Sequence, residues 1–349
     1  MPETVRVGIV GAGKIAQNRH IPLLQKIEDV EVTHAWSRTP ETFRKAAKEF
    51  GIPTVVERWE EIVEASDIDA VVIATPPNLH LPVTIAALDS GKHVLCQGRM
   101  ARNLSEALQM LDASKATDLV TSLYAAGFGL KGDRVMRRLL QDEGYVGDIL
   151  EVRVTSLVPV IPEAGAWLVD PEVVGVNTMM LGILAEVIYR WIGPARSVTA
   201  ATGEDLLSVP QSLSIAAELH GGATASFHVS FRVPRGPGSS IEIYGTRGVL
   251  DYKLLVEKPG GMVEDEELAG MTEGETEMHP IEMPAEEQRD RTMDTEFIEA
   301  IRNGTPVAPD FAEGVRYMEF CEAVAQSIYE GRTISMPPEP KMDSWGRPL

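Results

Sequence analysis

Through the first third of the chain, short apolar runs alternate with stretches of helical period. Val5–Val10 is dominated by aliphatic and small residues, as expected of a strand buried on both faces. Helical spacing follows from Lys14 to about Ile27, then a second strand pattern over Val30–Trp36. Pro40–Phe50 reads as a helix with Thr39 as its N-cap, and Asp69–Ala74 as a third strand. Leu81–Ser90 is helical and stops at Gly91, and His93–Cys96 is a strand. Leu104–Thr117 is a helix with Asn103 or Ser105 near its start, and Leu119–Leu123 closes the series. Strands and helices alternating at this spacing predict βαβ units and a parallel sheet.

The texture changes after about residue 124. A helix over Gly132–Asp142 is followed by strand-like runs at Ile149–Leu157, Ser197–Ala201, Leu213–Leu219, Ala223–Phe231, Ile241–Tyr244 and Val249–Tyr252. Short turns join most of these, as in an antiparallel sheet. Val176–Trp191 reads as one long apolar helix, residues 256–290 as surface loops or irregular edge strands, and Asp294–Asn303 and Glu313–Tyr329 as the last helices. The predicted fold is α/β in two domains. Residues 1–121 form a doubly wound parallel sheet and residues 122–349 an α+β domain with an open, mainly antiparallel sheet. The final helices are candidates to pack back on the first domain.

The chemistry begins at Gly11-Ala12-Gly13-Lys14-Ile15-Ala16, a G-x-G-x-x-A run placed directly after a strand and opening a helix. In that context Gly11 permits the tight turn, Gly13 lets a pyrophosphate approach the backbone, and Ala16 lets the helix lie close to the sheet. The helix start, with Lys14 and Ile15, offers amide donors to phosphate. The second strand ends in Trp36-Ser37-Arg38-Thr39 rather than in an acid. Ser37 and Arg38 there favour a ribose 2′-phosphate, hence NADP over NAD. After the next strand, Thr75-Pro76-Pro77-Asn78-Leu79-His80 is a rigid loop suited to form a wall beside the dinucleotide.

Composition narrows the partners. The 349 residues exceed what one hydrophobic core usually organises, and the formal net charge is −20, which repels phosphate backbones and anionic bilayers. Nucleic acid and membrane are therefore not expected as partners. The two cysteines, Cys96 and Cys321, are too far apart in sequence for a CxxC site, so no metal is expected. No basic, apolar leader precedes Val5 and no apolar run reaches about 18 residues, so a cytoplasmic protein is expected.

The chain resembles the glucose–fructose oxidoreductase / inositol dehydrogenase / MocA-like oxidoreductases over nearly its whole length. The likeness rests on Val7–Gly13, on Ala74–His80, on Ala87–Val94 and on Ile243-Tyr244-Gly245-Thr246-Arg247-Gly248. It implies a Rossmann domain, a C-terminal domain whose open sheet holds a carbohydrate-like substrate and makes a homo-oligomer, and a cofactor contact at Gln97. It also implies a Glu-Lys-Pro motif and a helix bearing Asp and His, and here the pattern breaks. Gln97-Gly98-Arg99 stands at the first, with Gly98 at the lysine position; Met180 and Leu184 stand at the Asp and His positions of the second. A 3.6 period places Asn177, Met180, Leu184 and Val187 on one helix face, which is almost wholly apolar.

Replacement polar groups are sought in Tyr124, Asn177 and Arg99, taken as the catalytic candidates. Tyr124 would donate to a substrate oxygen, Asn177 orient a hydroxyl, and Arg99 hold an anion. Glu186, Tyr189, Arg190, His228 and Arg232 are weaker candidates. Glu186 and Arg190 are spaced to pair on a helix surface, Tyr189 to pack, and His228 to face a cross-strand neighbour. Three functions stay open. One is a nicotinamide-dependent enzyme on a sugar, sugar acid or cyclitol with a non-standard catalytic set. The second is a non-catalytic dinucleotide-binding sensor or scaffold, and the third an NAD-dependent glycosidase or lyase.

Overall fold

The computed structural model describes residues 4–125, 129–158, 166–178, 180–203, 209–233, 236, 238–255, 265–288 and 293–341. The chain divides into two compact units, Met1–Ala125 with Thr292–Val315, and Ala126–Arg291 with Arg316–Leu349.

In the first unit, β1 (Val5–Val10) leads through a π-turn at Ala16–His20 into α1 (Ile21–Leu24). There follow β2 (Val30–Trp36), α2 (Pro40–Glu49), β3 (Thr54–Val55), α3 (Glu60–Glu64), β4 (Ala70–Ile73) and α4 (His80–Asp89). The series ends with β5 (His93–Gln97), α5 (Leu104–Lys115) and β6 (Thr121–Tyr124). The six strands pair in parallel in the order β3-β2-β1-β4-β5-β6. The chain therefore reverses direction across the sheet between β1 and β4, the place where doubly wound sheets open a crevice at their carboxyl ends. Val7, Ile9, Val71, Val72, Val94 and Leu95 are fully buried, which is why these strands read as unbroken apolar runs. A Cβ on Gly8 would lie 2.4 Å from Ile62 Cγ2, so glycine lets α3 lie close on β1.

One local expectation changes and another is narrowed. Thr39 makes no side-chain cap; Pro40, at the first helical position, starts α2 by its fixed φ instead. Asn103, by contrast, does cap α5: its side chain accepts from Glu106 N–H at 2.9 Å, and the Glu106 carboxylate accepts from Arg102 N–H at 3.0 Å.

The second unit contains α6 (Asp133–Arg137), β7 (Ile149–Leu157), α7 (Pro171–Val174), α8 (Leu181–Trp191), β8 (Ala195–Ala201), β9 (Ser212–Leu219) and β10 (Thr224–Ser230). It continues with β11 (Gly238–Gly245), β12 (Gly248–Leu255), β13 (Asp265–Thr272) and β14 (His279–Pro280). The chain then returns to the first unit as α9 (Met293–Asn303), before α10 (Phe311–Glu330) and β15 (Ile334–Ser335). The nine-stranded sheet has the order β14-β13-β12-β11-β7-β10-β9-β8-β15 and is antiparallel except where β10 pairs with β7.

Part of 256–290 is more regular than expected. β13 pairs along its whole length with β12, and its inward side chains include the buried Glu266, which accepts from the Tyr252 hydroxyl. A buried carboxylate in the inward series hid the alternation. The long helix expected over Val176–Trp191 begins only at Leu181, because Met180 sits in the left-handed region at φ +63°. Asn177 and Met180 are therefore not on a helical face with Leu184 and Val187. Arg190 does not pair with Glu186: it grips the buried Asp133 through Nε at 2.6 Å and Nη2 at 2.7 Å, with Trp191 Nε1 adding a third bond at 3.0 Å.

That knot joins α6 to α8 and predicts a large cost on truncation. Asp133→Ala removes the carboxylate from a largely buried ion pair and is expected to destabilise the protein by about 3–5 kcal/mol in urea unfolding. A loss below about 1 kcal/mol, the size of an exposed ion pair, would mean that water takes over the role of Asp133.

Candidate functional site

The glycine turn is held from both sides. Gly11 and Ala12 N–H both donate to Trp36 O, at 2.9 and 2.8 Å, tying the turn to the end of β2. Gly11 has φ +99°, and a Cβ there would lie 2.6 Å from Ala74 C and Thr75 N at the end of β4. Gly13 differs: a Cβ there would meet no protein atom within 4 Å. The fold needs glycine at 11, while the space over Gly13 is left open. Lys14 and Ile15 are exposed beside it, and Ala16 is buried against the sheet. At the end of β2, Ser37 is half-buried and Arg38 exposed, and the run Trp36-Ser37-Arg38-Thr39 contains no acid.

The loop after β4 is anchored from within. Pro77–Leu79 makes a 3₁₀ turn in which Pro77 is buried and Pro76 and Asn78 are half-exposed. His80 is buried, with Nε2 at 2.8 Å from Thr75 O and Nδ1 at 3.1 Å from Met100 O. The His80 ring has its pKa lowered by burial, against the carbonyls of Thr75 and Met100, which act to raise it. It ties the loop to the segment after β5 rather than facing outward. Thr75 Oγ1 is buried and has no hydrogen-bond partner among the described residues.

At the carboxyl ends of β5 and β6 lies a cluster that the sequence pattern did not disclose. His20 closes the π-turn, fully buried, with Nδ1 2.7 Å from Asp294 Oδ1 on α9 and Nε2 2.7 Å from Gln97 Oε1. Its ring meets the Tyr124 ring edge-on at 4.8 Å, and the Arg19 guanidinium lies 5.4 Å from the centre of that ring. Asp294 is fully buried and its second oxygen, Oδ2, has no partner among the described residues. A histidine within the helical stretch from Lys14 to about Ile27 was the one available signal; its partner is 274 residues away.

The remaining candidates are placed as follows. Gly98 N–H donates to Tyr124 O at 2.9 Å, and a Cβ on Gly98 would lie 3.0 Å from the same oxygen, so a side chain there is crowded. Arg99 is half-buried next to it, whereas Tyr124 is fully buried. Asn177 belongs to the second unit, where it is buried and donates through Nδ2 to Val174 O at 2.7 Å. Leu184 is fully buried within α8. Tyr189 packs edge-on against Phe320, and His228 faces Ser214 across the strands. Among the described residues no group of acidic, His or Cys side chains is placed to hold a metal, and no helix is long and apolar enough to cross a membrane.

A parallel sheet in this order, with a glycine turn at the strand where the winding reverses, defines a dinucleotide-binding Rossmann protein. The chain belongs to the GFO/IDH/MocA oxidoreductases. Residues 5–124 match the family's domain described as "Oxidoreductase family, NAD-binding Rossmann fold", and residues 134–251 match the GFO/IDH/MocA C-terminal domain. A 1,5-anhydro-D-fructose reductase of Ensifer adhaerens is 28% identical over 74% of this chain and 79% of its own length. A myo-inositol 2-dehydrogenase of Thermotoga maritima is 21% identical over 95% of this chain and 98% of its own. In structure, a levoglucosan dehydrogenase in complex with NADH and levoglucosan aligns with a TM-score of 0.81 at 20% identity, over 96% of this chain and 100% of that one.

The two glycines separate a folding requirement from a binding one. Gly11→Ala combines a left-handed φ with a backbone collision and is expected to lower stability by about 1–3 kcal/mol. Gly13→Ala should leave the melting temperature of the free protein within a degree or two of wild type. Equal stability of the two variants in thermal unfolding would contradict the packing at Ala74–Thr75.

Proposed function

We propose that this protein is a nicotinamide-dependent oxidoreductase acting on a sugar, sugar acid or cyclitol with a catalytic set unlike its family's. The observation that carries the cofactor half is the open space over Gly13 beside a start of helix, next to the buried, unsatisfied Thr75 Oγ1. These residues fit a dinucleotide: amides and Thr75 would meet oxygen atoms of the pyrophosphate and its neighbours. The nicotinamide, when bound, supplies the hydride acceptor or donor. Arg38 and the absence of an acid after β2 support NADP over NAD.

For the substrate half, the reductase and dehydrogenase relatives act on sugars and a cyclitol, as their names state. Gly98 carries no proton-transferring group and its surroundings crowd a longer side chain, while Met180 and Leu184 offer hydrocarbon. Arg99 is the group we assign to hold an anionic part of the substrate. Tyr124 and Asn177 are buried, so we assign them to position neighbouring groups. Loss of general acid–base help costs about 10²–10⁴ in rate, so ordinary sugar dehydrogenase turnover should be slow. A homo-oligomer through the second-unit sheet is also proposed, supported by its exposed face of short polar residues such as Thr224, Ser226 and His228.

Titration with NADH and NADPH, followed by cofactor fluorescence, tests the cofactor. Gly13→Val should weaken both by roughly a hundredfold, about 2.7 kcal/mol. Arg38→Ala should weaken NADPH alone, by about 1.5–3 kcal/mol. Wild-type affinity in Gly13→Val would remove the site, and NADH preferred by wild type with Arg38→Ala silent would reverse the cofactor choice.

The chemistry is tested on a panel of sugars, sugar acids, cyclitols and aryl glycosides with both cofactors. Turnover should fall at least tenfold in Arg99→Ala and less in Tyr124→Phe and Asn177→Ala. Turnover that survives all three substitutions would eliminate this assignment. Tight cofactor binding without turnover on any substrate would establish the non-catalytic reading, and cleavage of an aryl glycoside the lyase or glycosidase one.

A further inference from the structure

The buried cluster at the carboxyl ends of β5 and β6 has no part in the glycine turn. We infer that the His20–Asp294 pair is a positioning device. It pins the carboxamide of Gln97 as the polar group this chain presents beside Gly98, and Gln97 so held contacts the bound dinucleotide. The inference rests on the dinucleotide reading above.

The geometry carries it. Asp294 Oδ1 at 2.7 Å from Nδ1 holds the imidazole proton on that nitrogen and fixes the plane of the ring, leaving Nε2 aimed at Gln97. A neutral ring accepts from the amide nitrogen, and an imidazolium donates to the amide oxygen; in either form the carboxamide is pinned at one end. Its other end has no partner among the described residues, and Gln97 is half-buried at the last position of β5. His20 sits in a π-turn, a local widening that recurs at functional sites, and the unmatched Asp294 Oδ2 shows that this carboxylate is kept at a cost. An interior built for stability alone would place hydrocarbon there. The groups facing the ring are Asp294 from α9, Gln97 from β5 and Tyr124 from β6, with Arg19 over the tyrosine. None of these side chains replaces the missing lysine directly. A carboxamide fixed in place instead loses little rotamer freedom on binding.

The test separates the two ring nitrogens. In His20→Asn the amide nitrogen reaches Asp294 but falls short of Gln97; in His20→Gln it reaches Gln97. The readout is the NADH dissociation constant from cofactor fluorescence, with melting temperature measured alongside. His20→Asn and Gln97→Leu should each weaken NADH roughly tenfold, the worth of one hydrogen bond, and His20→Gln by less than threefold. The double variant His20→Asn, Gln97→Leu should bind no worse than Gln97→Leu alone, because the histidine acts through the glutamine. Additive losses, or equal affinity in His20→Asn and His20→Gln, would overturn the positioning role. Should His20→Asn fail to fold, Gln97→Leu decides alone: wild-type affinity there overturns it. A wild-type protein that binds no NADH or NADPH would overturn the dinucleotide reading itself, whereas binding that ignores all these substitutions overturns the inference only.

Discussion

The first unit depends on the approach of one glycine to one peptide. Gly11 has its backbone so close to Ala74 and Thr75 that a single added carbon would sit at 2.6 Å, while its N–H and that of Ala12 hold the end of β2. This contact closes the carboxyl end of the sheet where the strand order reverses. It sets the start of the following helix and the start of the proline loop against each other. The open space over Gly13 and the buried Thr75 hydroxyl are consequences of that closure, since both flank the same contact.

The loop and the strand ends beyond it are then stiffened from inside rather than from the surface. His80 ties Thr75 to Met100, and His20 ties Gln97 to Asp294. Both histidines are buried, and both spend their ring nitrogens on groups outside their own helical turn. A buried hydrogen bond is worth only about 1 kcal/mol net, but leaving its partner unmatched costs more. Such pairs therefore specify position more than they add stability. The second unit follows the same logic at Asp133, where three bonds from Arg190 and Trp191 converge on a buried carboxylate.

Gly98, Met180 and Leu184 carry no proton-transferring side chain, and each position is shaped by its surroundings. Gly98 is crowded by the Tyr124 carbonyl, Met180 leaves the helix by a left-handed turn, and Leu184 is sealed in its helix. A polar side chain placed at any of the three would meet these surroundings. The polar character at this end of β5 comes instead from Gln97 and Arg99.

The sequence by itself determined the strand–helix alternation of the first unit, the glycine turn and the antiparallel character of the second sheet. Each rests on a short-range pattern: unbroken apolar runs for strands buried on both faces, alternation for half-buried ones, and a glycine where φ must be positive. Short or masked patterns escaped it. Thr54–Val55 and Glu60–Glu64 are too brief to show a period, and the buried Glu266 broke the apolar alternation of β13. The apolar run before Trp191 gave no sign that Met180 would interrupt it. Only the tertiary structure decided that Arg190 binds Asp133 rather than Glu186, that His80 and Tyr124 are buried, and that His20 meets Asp294 across 274 positions. Side-chain partners are chosen by where elements pack, and packing brings together residues whose separation along the chain carries no periodic trace.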